Sequence, residues 1–130
     1  MDQRDIDRVQ GHLKRTFGNP HIALKARPRQ KDSADVTLRG ESIGVVVQDE
    51  DDDGSFMFEM GVLAKDFDGV QAHLSRILGN QQIAAKPRPK QNDSAEVELN
   101  GEFIGVIYQD EDEDGSFMFE MAILAEDLET

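Results

Sequence analysis

Apolar residues recur at three- and four-residue spacing at Ile6, Val9, Leu13 and Phe17, the period of a helix that buries one stripe. Asp5 or Asp2 stands where a carboxylate would take up the free amides of the first turn. Gly18 stands where the chain must enter the left-handed region to stop. Beyond it the period changes. Ile22 to Lys25 reads as a short strand, and Ala34, Val36 and Leu38 then alternate with Asp35, Thr37 and Arg39, the period of two of a half-buried strand. Arg39-Gly40 turns the chain into a third strand holding Ile43, Val45 and Val47, and a fourth runs from Phe56 to Leu63.

The whole pattern returns 61 residues later without a gap, and 39 of 61 aligned positions are identical, far more than a shared fold imposes. In the second copy Asp66 caps the stripe Phe67, Val70, Leu74 and Leu78, and Gly79 ends it. The expected fold class is therefore α+β: two tandem copies, residues 1–66 and 67–130, of a helix followed by a four-stranded antiparallel meander. Two copies cannot make a solenoid with separate caps, so they are expected to pack as an internal pseudo-twofold dimer. The turn Asn100-Gly101 favours a two-residue hairpin. Pairing outward from it sets Val97 opposite Ile104 and Ala95 opposite Val106, which aims Ile43, Val45 and Val47 at the helix. Phe103 and Ile107 then point to the other face, and Met57, Leu63, Met118 and Leu124 are expected to form the seam between copies, with a docking surface as the alternative.

Composition narrows the function. With 27 acidic against 14 basic side chains, the formal charge of −13 repels nucleic acid and anionic lipid. No cysteine occurs, which excludes disulfides, thiolate metal sites and thiol catalysis. Met1-Asp2-Gln3-Arg4-Asp5 lacks the layout of a signal peptide and no apolar run reaches membrane-spanning length, so a cytoplasmic location away from membranes is expected. In Gln48 to Gly54, and again in Gln109 to Gly115, acidic residues crowd between two strands. Asp49, Asp51 and Asp53, with Asp110, Asp112 and Asp114, match the first half of a calcium loop, whose carboxylates at alternate positions converge on a hard cation. The second half fails, because Met60 and Met121 stand where a bidentate Glu should close the shell. A solvated hairpin tip is the plain reading; weak calcium binding is the alternative, and no other cofactor is expected.

Positive charge collects at Lys25, Arg27, Arg29 and Lys31, and at Lys86, Arg88 and Lys90. Spacing of two puts these side chains on one face of a strand. They can contact an anion or a partner, although the simpler role is to offset the acidic loops. His12 and His73 flank the apolar stripes, His21 becomes Gln82, and Ser33 and Ser94 read as turn formers. No nucleophile, base and orienting group assemble from these residues, so an enzyme is not expected.

Gly18 to Pro20, Lys25 to Arg29, Asp32 to Ala34, Gly101 to Val106 and Asp110 to Glu113 together resemble a small alphaproteobacterial family of unknown function. That family usually carries one module per chain, so the tandem arrangement is a departure. The resemblance implies the module boundary, a bacterial cytoplasmic setting and homodimers among single-copy relatives. It brings no ligand or catalytic residue. The leading expectation is a non-enzymatic intracellular interaction or scaffold module with a protein partner. The alternatives are the calcium protein and an acidic mimic of nucleic acid that occupies a basic partner.

Overall fold

The computed structural model describes residues 2–27, 30–48, 54–64, 66–79, 82–88, 91–109, 116–124 and 128. Helix α1 (Gln3–Phe17) leads into strands β1 (Ile22–Arg27), β2 (Gln30–Leu38), β3 (Glu41–Gln48) and β4 (Phe56–Leu63). The order repeats with α2 (Phe67–Leu78), β5 (Ile83–Arg88), β6 (Gln91–Leu99), β7 (Glu102–Gln109) and β8 (Ser116–Ile123). The caps are as local chemistry requires. Asp2, and not Asp5, caps α1: its Oδ1 accepts from the Asp5 amide at 2.8 Å, and the Asp66 Oδ1 accepts from Gly69 at 2.9 Å. Gly18 and Gly79 close the helices at φ of 62° and 66°. Ile6, Val9, Leu13 and Phe17 are buried, as are Val70, Leu74 and Leu78.

The eight strands are antiparallel, in the orders β1-β2-β3-β4 and β5-β6-β7-β8. Both β2–β3 and β6–β7 turns are of the hairpin kind, with Arg39 and Asn100 themselves at φ of 54° and 56°. The register expected beyond the turn is wrong by one residue. Glu98 pairs with Phe103, but Val97 then pairs with Gly105 and Ala95 with Ile107. Ile104 is thus an unpaired bulge residue, and Ile43 takes its place between the pairs Val36–Gly44 and Thr37–Ser42. A bulge swaps the faces of everything after it. Val46 and Ile107 therefore point into the core, fully buried, while Ile43, Val45 and Val47 lie half-buried on the face away from the helix. Ile107 was expected on that outer face; Phe103 is the residue found there, 57% exposed.

The chain divides into two compact units, Met1–Glu59 with Ala122–Thr130, and Met60–Met121. The chain leaves the first unit within β4 and returns to it within β8, so the unit boundaries fall inside strands whereas the sequence copies meet between elements. In the first unit Phe17 meets Phe58 edge-on at 6.3 Å, and the Arg8 Nη2 donates to the carbonyl of the buried Leu128 at 3.3 Å. In the second, Phe67 tilts against Phe117 at 5.3 Å.

The terminal strands β1 and β5 have one neighbour each within their meanders, which leaves amides that could template another chain. A helix side chain answers this in both units. Gln10 Oε1 accepts from the Leu24 amide at 2.9 Å, and Gln71 Oε1 accepts from Ala85 at 2.8 Å. Gln71→Ala should leave the Ala85 amide without this acceptor and lower stability by about 1–2 kcal/mol, measured by urea denaturation. Gln71→Glu, which keeps an acceptor of the same length, should lose less.

Candidate interaction surface

Each meander has one face covered by its helix and one face without it. In the second unit the helix-free face is organised by register across three strands. Glu96 pairs with Val106, which pairs with Glu120; beside this row Ser94 pairs with Tyr108, which pairs with Met118. In the first unit the same rows read Asp35, Val45, Glu59 and Ser33, Val47, Met57. An apolar strip along β3 or β7 is thus bracketed by carboxylates on both neighbouring strands. The second unit adds two aromatic residues to this strip, Phe103 where the first has Ser42 and Tyr108 where it has Val47. Leu63 and Leu124, expected to be covered in a seam, are 73% and 39% exposed.

The basic residues take up positions on the edge strands. Lys25 pairs in register with Asp35 and Lys86 with Glu96. Arg27 Nε lies 3.5 Å from the Asp35 carboxylate and its Nη1 donates to Ser33 Oγ at 3.4 Å, while Lys86 Nζ lies 3.0 Å from Glu98. The carboxylates that these two cations meet are on the adjacent strand of their own copy. Pairs open to water on at least one side contribute little stability, but they fix the cations at the margin of the sheet. Arg88 belongs to β5, opposite Gln91; its side chain, Arg29 and Lys90 lie outside the described residues. So do Asp49, Asp51, Asp53, Asp110, Asp112 and Asp114, the candidate calcium ligands of the two loops. Among the described residues no three His, Asp or Glu converge on a point that could hold a metal ion.

Ser33 and Ser94 are not turn residues, as the sequence suggested, but buried members of β2 and β6. Strand pairing overrides the turn preference of Asp-Ser there. His12 Nε2 lies 3.4 Å from the Thr16 hydroxyl. His73 is held below the ordinary imidazole range, first by partial burial and then by the adjacent Arg76 guanidinium. Arg76 Nη2 donates to its Nδ1 at 3.2 Å, which favours the neutral ring. The residues that sequence reasoning missed are Gln10 and Gln71, whose identity in both copies was the available signal, and the Gly44–Gly105 pair that accompanies the bulge.

A family model described as protein of unknown function (DUF3126) matches the chain twice, over residues 5–66 and 67–127. The chain belongs to the DUF3126 family. Its family unit is therefore one copy of the helix and meander, present here in tandem, and both the bulge and the glutamine bond to the edge strand occur in each DUF3126 copy. No curated protein and no solved structure matches the chain. No helix among the described residues is long and apolar enough to cross a membrane.

Proposed function

We propose that this tandem DUF3126 chain is a non-enzymatic intracellular interaction module, its two copies packed as an internal pseudo-twofold pair, that binds a protein partner through the helix-free face of its sheet. The observation that carries this reading is the apolar strip along β7, where Phe103 is largely exposed and Ile104, Val106 and Tyr108 are half-buried. Exposed apolar surface arranged in this way is a common mark of a protein contact.

A photo-crosslinking residue placed at Val106 in the full chain tests the proposal in native cell extract at physiological salt. Discrete crosslinked proteins are expected, and the same substitution at Arg4, exposed on α1, should give none of them. Recovery of no crosslinked protein from either position would overturn the interaction reading.

A further inference from the structure

The interaction reading leaves the chemistry of the partner open, and the rows across the sheet restrict it. We infer that the outer face of the second unit takes a cationic amphipathic helix, its apolar edge on Phe103, Ile104, Val106 and Tyr108 and its Lys or Arg side chains reaching the carboxylates on either side. This rests on the proposed function and names the partner class for the same face.

Three features of the face lead there. The strip runs along one strand, and Phe103 to Tyr108 spans roughly 17 Å, a length that about three helical turns cover. Carboxylates bracket it in register: Glu96 and Glu98 on β6 and Glu120 on β8. Glu98 already meets Lys86, yet a carboxylate has lone pairs for several donors and can accept from a second cation. Phe103, 57% exposed, also offers a ring face, and a guanidinium or ammonium is drawn to such a face when it lies above it. A neutral apolar partner would take water from the flanking carboxylates without bringing them a cation, which opposes its binding. An acidic partner would meet both these carboxylates and the net charge of −13. The same net charge draws a cationic helix in.

Fluorescence anisotropy with the full chain tests this, using a labelled 14-residue Lys/Leu peptide with leucines at helical spacing on one edge. Its controls are a peptide of equal charge with Ser for Leu and one with Glu for Lys. The Lys/Leu peptide should bind, at least about tenfold tighter than the Lys/Ser peptide, roughly 1.4 kcal/mol, and the Glu/Leu peptide should not bind. The paired substitution Phe103→Ser and Tyr108→Val installs the residues that the first copy carries at these positions, so the fold tolerates them, and a thermal melt checks that it does. This variant should lose about tenfold in affinity for Lys/Leu, and Glu120→Gln should weaken it further.

Equal binding of the Lys/Ser and Lys/Leu peptides would overturn the inference in favour of unspecific charge attraction. So would Lys/Leu binding that the paired substitution leaves unchanged, or no binding of Lys/Leu at all. Crosslinks from Val106 that land on partner segments without Lys or Arg would also overturn it, while leaving the interaction reading intact; only the absence of any crosslinked partner removes both.

Discussion

Replacing Phe119 with alanine should lower stability by about 3–5 kcal/mol, whereas the same change at Phe103 should cost below about 1 kcal/mol. The two residues are chemically identical and sit in neighbouring strands of one unit. Phe119 is fully buried in β8, paired with Ile107, and its ring lies over Gly105. Truncation there removes the transfer free energy of the ring and leaves a cavity that the backbone of a paired strand cannot collapse into. Phe103 is mostly in water and leaves no such cavity. A domain of this size has about 5–15 kcal/mol of stability in total, so the Phe119 variant should lose roughly a fifth or more of it. Urea denaturation of both variants, followed by far-ultraviolet circular dichroism, measures the difference. A Phe119→Ala midpoint close to that of Phe103→Ala would show that the inner face of β8 is not the core described above.

The outward place of Phe103 was legible in the sequence, but the faces of Val45, Val47 and Ile107 were not, and the reason is the bulge. The helices were read with their stripes and C-terminal caps in place because those signals are local: Asp66 reaches the amide of Gly69 three residues on, and Gly79 takes the left-handed conformation by itself. The hairpin turns were read for the same reason. Along Ile43-Gly44-Val45-Val46-Val47, however, either face could serve as the apolar one. A run with no alternation cannot reveal that one residue has been skipped, so Ile43, Val45, Val47 and Ile107 were assigned to the wrong side. A glycine flanked by β-branched residues in each of two strands was the clue, since mid-strand glycine marks a bulge or a close approach. The edge-capping glutamines were missed because the partner amide is 14 residues away. The basic stripe was legible as residues but not as pairs: Asp35 and Glu98 become the partners of Arg27 and Lys86 only once strand register is known. The repeat period located the sequence copies at 66/67, but it carries no information on where along β4 the chain leaves one compact unit for the next.

Gly105→Ala and Gly61→Ala add the same methyl group and should move stability in opposite directions. A Cβ on Gly105 would stand 2.5 Å from the carbonyl oxygen of Glu120 and 2.9 Å from the Phe119 ring. The ring could turn aside, but the carbonyl belongs to the paired strand β8 and can retreat only if the β7–β8 ladder opens. Overpacking against backbone should therefore cost about 3 kcal/mol, which lowers the melting temperature by roughly 10 °C in a protein of this size. Phe119→Leu, introduced to relieve the ring contact, should not restore it, because the carbonyl contact remains. At Gly61 a Cβ meets nothing within 4 Å, and the second copy already carries Ala122 there. Gly61→Ala restricts the unfolded chain without straining the folded one and should raise stability by about 0.4–1 kcal/mol. Thermal melts of the two single variants and of the Gly105→Ala, Phe119→Leu pair decide the matter. Rescue by the leucine would place the conflict in the ring and leave the ladder free to adjust. Failure of rescue, with Gly61→Ala stabilising, identifies the close approach of β7 to β8 as the constraint that makes glycine necessary beside the bulge, and so fixes which residues the outer face presents.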